Sequence, residues 1–280
     1  MKWPAESNSQ WREISWRLAP NRLDGSLRLA VLAAHPDDET LGASCWLAHL
    51  AEVRVFYLTD GAPRDSRFWS PLVQGSRPDY ARIRRAEAEK ALWHAGIPGP
   101  QIVFLGGVDL DVIFEACRLT LRLTELLSKA NFDALLTHAY EGGHPDHDAA
   151  SLIATMARSR LAVERRPYLL EMTSYHAREG RCVSGEFLGA DRAPEICWEL
   201  SAEDCNRKHK MLAEYGSQRL VLENFSVERE RIRLAPEYDF SQPPHAGKLW
   251  YEVMGWPLEG ARWRELALSA LNEAEEQTCR

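Results

Sequence analysis

The sequence predicts an α/β protein: a single Rossmann-like domain, mostly parallel sheet with helices on both faces and a decorated C-terminal third. Three observations carry this expectation. Short apolar runs alternate with helical stretches from residue 27 to residue 175, and such alternation builds a parallel sheet covered on both faces. The chain has 280 residues, 45% hydrophobic and 27% charged, enough for one large domain with an ample core. No internal repeat, low-complexity tract or linker divides it, so residues 25–280 read as one domain behind an N-terminal extension, 1–24.

The elements follow in order. The extension carries Trp3, Trp11 and Trp16 among polar neighbours, packed either on the domain or on a partner copy in a homo-oligomer. Residues 27–34 form the first strand. Leu41, Cys45 and Ala48 lie on one face of a helix at 40–52. Residues 53–59 are the second strand, closed by the turn signal Asp60-Gly61-Ala62-Pro63. A long loop, 62–78, carries Arg64, Arg67, Phe68 and Trp69; long loops in compact domains are usually functional or mobile. A helix at 79–96 takes Asp79 as its N-cap and ends on Gly96. Strands at 102–105, 132–138 and 168–175 alternate with helices at 111–130 and 148–160. Beyond residue 178 the pattern loosens into a strand at 196–200, a helix at 201–215 capped by Ser201, a strand at 249–254 and a terminal helix at 260–275.

Composition narrows the function. A net charge of −7 speaks against a nucleic-acid surface, and the clusters Arg82-Arg84-Arg85 and Arg229-Arg231-Arg233 read as solvated faces. The six cysteines show no C-x-x-C spacing, so a zinc knuckle is not expected and reduced thiols of a cytoplasmic protein are. The N-terminus has no apolar core of a signal peptide, and no apolar run approaches the roughly 20 residues that span a bilayer. The ten tryptophans read mainly as packing, with Trp198, Trp250 and Trp256 as candidates for a substrate pocket.

The chemistry concentrates in two places. His35-Pro36-Asp37-Asp38-Glu39 follows the first strand, and His144-Pro145-Asp146-His147 follows the fourth. A lone His-Pro-Asp is a common turn, but two of them after parallel strands converge on one sheet edge, where open α/β sheets bind ligands. Adjacent carboxylates repel unless a cation or proton relieves them. A catalytic zinc takes three His or carboxylate ligands and leaves a position for water. His35, Asp38 and His147 supply that set; Asp37 is the general base, and His144, its ring oriented by Asp146, serves the leaving amine or an oxyanion. Iron or cobalt would also suit these ligands.

These paired motifs resemble the LmbE-like, or PIG-L, zinc-dependent N-deacetylases, whose members include N-acetylglucosaminyl-phosphatidylinositol, diacetylchitobiose and glycopeptide-antibiotic deacetylases. The resemblance covers residues 27–178 and implies the same ligands and base. It also implies a hydrolase that removes acetyl from an N-acetylglucosamine-type small molecule. Leu58-Thr59-Asp60-Gly61 resembles the family's second substrate-side loop, so Asp60 joins Arg64 as a candidate substrate contact. Arg84-Arg85-Ala86-Glu87 resembles its Arg-x-x-Glu helix, with Arg84 reaching a sugar hydroxyl or merely forming a surface pair. Asp109 matches an acid that touches the sugar, or else caps a helix. Tyr140-Glu141-Gly142-Gly143 resembles the glycopeptide-type lead-in. Gly142 stands where mycothiol-type enzymes have a Tyr, so any oxyanion-assisting Tyr comes from elsewhere. Glu39 is unassigned, His138 is a candidate second-layer residue, and His176 and His245 are candidates for the rim; His49 and His94 read as surface or packing residues. A hydrolase of another amide or a phosphoester, and a non-catalytic metal-binding protein, are the alternatives. Three ligands are few for a two-metal phosphoesterase, and a structural zinc needs four and no free base.

Overall fold

A computed structural model describes residues 7–189 and 194–278; Trp3 and Cys279 lie outside them. Five strands run parallel: β1 (Arg28–Ala33), β2 (Glu52–Thr59), β3 (Ile102–Gly107), β4 (Ala134–His138) and β5 (Tyr168–Met172). A hairpin, β6 (Tyr175–Arg178) and β7 (Arg181–Ser184), follows β5. The antiparallel strands β8 (Glu195–Glu199) and β9 (Arg229–Leu234) complete a seven-stranded sheet in the order β3-β2-β1-β4-β5-β9-β8.

That order fixes where ligands bind. From β1 the chain winds outward through β2 to β3, then returns to place β4 on the other side of β1 and continues to β5. The carboxyl ends of β1 and β4 therefore flank the topological switch point, the crevice where open α/β sheets take their ligands. Leu29, Ala30 and Val31 pair with Ala134, Leu135 and Leu136, so the chain leaves both strands side by side.

Strand alternation splits the core in two. Leu29, Val31 and Val55 face one layer, packed by α1 (Ser7–Leu18), α2 (Asp38–His49), α3 (Arg77–His94) and α6 (Ala202–Glu214). Ala30, Leu32 and Phe56 face the other, packed by α4 (Ala116–Ser128), α5 (Pro145–Ser159) and α9 (Gly260–Thr278). Short helices α7 (Arg219–Leu222) and α8 (Trp250–Val253) lie in the C-terminal third. No helix among the described residues is long and apolar enough to cross a membrane. Cys45, Cys117, Cys182, Cys197 and Cys205 are free thiols.

Several expectations change. The described part of the N-terminal extension is a helix seated on the domain: Trp11 is buried, and Trp46 Nε1 donates to the Leu18 carbonyl, 3.2 Å away. α3 starts at Arg77 rather than Asp79. Ser76 is its N-cap, Asp79 closes the capping box from the third position, and Pro78 is tolerated because the first turn has no amide partners to lose. α5 starts at Pro145, so His147 lies on a helix. The expected strand at 249–254 is the helix α8: Glu252 accepts from the Leu249 amide at 3.0 Å and caps a turn docked through Trp250 N on the Gly142 carbonyl. The fifth strand stops at Met172, and Tyr175 opens a separate hairpin. Two arginines of the supposedly solvated clusters, Arg84 and Arg233, are buried with carboxylate partners. Trp198 packs edge-on against Trp46 in the core.

Candidate active site

The first half of the site is the exit from β1. Both the amide and the hydroxyl of Thr59 donate to the Ala34 carbonyl, at 3.1 and 2.9 Å, and tie the turn to β2. Asp38 opens α2 and its Oδ2 accepts from the His35 amide at 2.8 Å. Between them Asp37 has φ +130°, a conformation that costs a non-glycine residue about 1–3 kcal/mol and clusters at functional sites. Its amide donates to Glu39 Oε2 (3.1 Å), and Arg84 Nη1, reaching in from α3, donates to its Oδ2 (3.1 Å).

The second half is the exit from β4. Asp148 Oδ1 accepts from the amides of Glu141 and Gly142, at 3.1 and 3.0 Å, and folds that loop back onto α5. His144 caps α5, its Nδ1 accepting from the Asp146 amide at 3.1 Å, with Pro145 as first helical residue. Gly143 is required here: a Cβ would stand 1.9 Å from the Tyr175 carbonyl oxygen. Gly143→Ala is expected to displace the β6–β7 hairpin and cost about 1–3 kcal/mol or more, measured by urea unfolding; unchanged stability contradicts the packing described.

The two halves meet. Asp38 Oδ1 lies 3.1 Å from His147 Nε2, and its Oδ2 lies 3.3 Å from His35 Nδ1 and 3.4 Å from His138 Nε2. The His138 ring stacks on His147, and His144 stands edge-on to His35. Among the described residues, three donor groups have their atoms within 4.8 Å of one another: His35, His144 and His147; Asp38, His138 and His147; and His35, Asp109 and Asp146. The expected ligands His35, Asp38 and His147 are thus neighbours, spread over overlapping triples rather than set apart in one.

Burial and charge act strongly on these groups. Burial pushes Asp38 up, but His147 and His138 more than offset it and hold the carboxyl well below its usual range. Asp37 is pushed up to about 7 by burial, against the pull of Arg84. Burial lowers the imidazolium of His35, yet Asp109, Asp146 and Asp38 hold it well above its ordinary value. His144 is pushed well down by burial, with His35 and His147 adding to it. The donor set suits a divalent cation, which would relieve the crowded carboxylates. His147 turns Nε2 toward Asp38, and among the described residues its buried Nδ1 has no hydrogen-bond partner.

A cavity of about 280 Å³ opens over the cluster. Its floor is His35, Asp37, Asp38, Asp109, His144 and His147, with Arg84 beside them; Phe68, Trp69, Phe225 and Trp256 stand in its walls. Four expected contacts sort themselves here. Arg84 and Asp109 face the cavity. Asp60 does not: Arg77 Nη2 holds both its oxygens at 2.8 Å. Nor does Arg64, an exposed side chain paired with Asp111 at 2.6 Å. Asp146 is fully buried, and its carboxylate accepts from His35 Nε2 (3.2 Å) and from the amides of Leu110 (2.7 Å) and Val112 (3.3 Å). It touches His144 through its backbone amide, so the orienting carboxylate expected for His144 braces His35 and the Asp109 loop instead.

Other residues enter that sequence reasoning missed or left open. Tyr175 lines the cavity from β6, its ring 5.3 Å from His147. Trp256 covers His144 at 4.4 Å between ring centroids. His138 joins the centre, accepting from the Ala34 amide. His176 is buried beside Glu141, and His245 contacts the Ala246 carbonyl; neither lines the cavity. The sequence places Tyr175 at the end of the fifth strand, where nothing marks it as a site residue.

Fold and site together define a Rossmann-like α/β protein with a buried His/Asp cluster, capable of holding a metal, at the sheet's switch point. The model of the PIG-L family, GlcNAc-PI de-N-acetylase, matches residues 30–158. That span contains both His-Pro-Asp motifs, and the PIG-L resemblance read from them holds across it. Among solved structures, the A40926 pseudoaglycone deacetylase Dbv21 is similar at a TM-score of 0.58 and 16% identity, over 76% of this chain and 99% of that one. The N,N'-diacetylchitobiose deacetylase of Pyrococcus horikoshii is similar at 0.55 and 15%, over 84% and 94%. GalB, the 4-carboxy-2-hydroxymuconate hydratase of Pseudomonas putida, is similar at 0.50 and 17%, over 70% and 82%. These likenesses show a shared fold. Among curated proteins, none matches.

Proposed function

We propose that this protein is a zinc-dependent hydrolase that removes the acetyl group from an N-acetylglucosamine-type amino sugar or its conjugate. The observation that carries the reading is the convergence of His35, Asp37, Asp38, His144 and His147 on one cavity floor, within the span matched by a de-N-acetylase family.

His35, Asp38 and His147 would hold the zinc. A zinc bound there supplies a Lewis acid for the amide carbonyl and makes water more acidic. Asp37 takes the proton of the attacking water, and Arg84, buried against its Oδ2, keeps that carboxylate aimed. Water oxygen bonds to the acyl carbon, the C–N bond breaks, and the proton that Asp37 took from water passes to the departing nitrogen. His144, kept neutral by burial and with its Nδ1 accepting from the Asp146 amide, donates a hydrogen bond through its other ring nitrogen as the charge develops. Acetate and a primary amine result. Tyr175 is placed to donate to the developing oxyanion, its phenol kept protonated by burial and by Asp38 and Asp37. Asp109 and Arg84 suit sugar hydroxyls, and Trp69 and Trp256 offer faces for the pyranose ring.

Chelator-treated protein is expected to release no acetate from N-acetylglucosamine conjugates, and one equivalent of zinc to restore release. Acetate release that survives removal of all metal contradicts the proposal.

A further inference from the structure

Resting on that reading, we propose that Glu39 and Tyr215 are positioning residues for Asp37: Tyr215 holds Glu39, and Glu39 holds the strained backbone from which the base is presented. Three donors converge on the Glu39 carboxylate. The Tyr215 hydroxyl and the Thr40 hydroxyl each donate to Oε1 at 2.6 Å, and the Asp37 amide donates to Oε2 at 3.1 Å. Glu39, Thr40 and Tyr215 are all fully buried. A carboxylate accepts from every side; an amide of the same shape keeps one acceptor and turns its NH2 either on the Asp37 amide or on the two hydroxyls, which must then reverse their own bonds to accept it.

The clamp is needed where it sits. Asp37 has φ +130°, and such backbone persists only where its surroundings over-determine it. The amides of Thr40 and Leu41 hold the Asp37 carbonyl, both at 3.0 Å, Glu39 holds the amide, and Arg84 holds the side chain. Tyr215 is the residue on which α6 ends, so the clamp reaches across from another element. Two residues on, Ser217 donates through its amide and hydroxyl to Glu87, at 2.7 and 2.6 Å, one turn along α3 from Arg84. One short segment thus secures both grips on Asp37. Neither Glu39 nor Tyr215 lines the cavity, so their influence on a reaction there passes through Asp37.

The test uses the full chain loaded with zinc. Tyr215→Phe removes one hydroxyl from a packed ring and is expected to lower kcat about 10- to 100-fold, the size of effect that a misplacement near 1 Å produces. KM and zinc content should stay within about twofold. In an Asp37→Ala background the same substitution should change the residual rate less than twofold, because the two act as a unit. Glu39→Gln should behave alike. A second readout needs no turnover: the Asp37 amide resonance of 15N-labelled protein should shift, and its hydrogen exchange accelerate at least tenfold, in both variants. If the wild type releases no acetate, this readout still decides the clamp, and the deacetylase reading fails separately. An unmoved Asp37 amide, an unchanged kcat, or an equal loss in the Asp37→Ala background overturns the proposal.

Discussion

Asp37→Ala is expected to leave the zinc in place and to lower kcat by about 10²–10⁴, the span that a positioned general base contributes. Asp37 lies on the cavity floor, and Arg84 Nη1 donates to its carboxylate at 3.1 Å. It stands next to the metal donors without belonging to any of the close triples. His147→Ala should do the reverse and lose the metal itself, since His147 is shared by two of those triples. Metal content and kcat measured on the same preparations separate the two outcomes. Full activity in the Asp37 variant contradicts its role as base.

Arg233→Met is expected to cost about 3–5 kcal/mol of stability, as breaking a buried pair from one side does. Arg233 is fully buried on β9. Its Nε donates to Glu171 Oε2 at 2.9 Å, Nη1 to the Leu188 carbonyl at 3.3 Å and Nη2 to the Tyr238 hydroxyl at 3.2 Å, and its guanidinium lies over Phe187. Glu171 faces it directly across the β5–β9 ladder, and burial pushes that carboxyl up to about 7 even with Arg233 beside it. Without Arg233 the folded chain holds the Glu171 proton more tightly still, whereas the unfolded chain releases it near pH 4.3. The folded state then binds the extra proton, so the variant loses stability as pH rises from about 4.3 through 7 and beyond. Urea unfolding at pH 5 and pH 8 should show the larger deficit at pH 8. A change below about 1 kcal/mol at both values contradicts the buried pair.

Much of this was legible in the sequence, and the reason differs from place to place. The parallel strands announce themselves because both their faces are buried, which leaves apolar runs such as residues 29–34. His35 to Glu39 and His144 to His147 are local, so once the strands before them are read, topology brings them together. What failed was non-local. β9 spells Arg-Glu-Arg-Ile-Arg-Leu and looks solvated, yet Glu230 meets Lys208 from α6 and Arg233 meets Glu171 from β5 inside the protein. Arg84 looked like a helix surface residue, and only the approach of α3 to the β1 exit turns it inward. The Asp146 carboxylate serves amides at Leu110 and Val112, a loop that nothing near residue 146 indicates. The start of α3 was readable and was misplaced: Asp79 reads as the N-cap, though Ser76 and Asp79 on either side of Pro78 spell a capping box. Residues 249–254 are rich in β-prone side chains, but the cap from Glu252 and docking on Gly142 override that propensity.

The shared fold alone does not choose a reaction, since a hydratase has it as well as deacetylases. The most direct measurement is therefore product analysis of the zinc-loaded protein on N-acetylglucosamine and its conjugates. Acetate and a primary amine are expected in equal amounts, with no product in which water has been added and both fragments kept. Intact N-acetyl groups across all these substrates, or a hydrated product without acetate, would contradict the deacetylase reading.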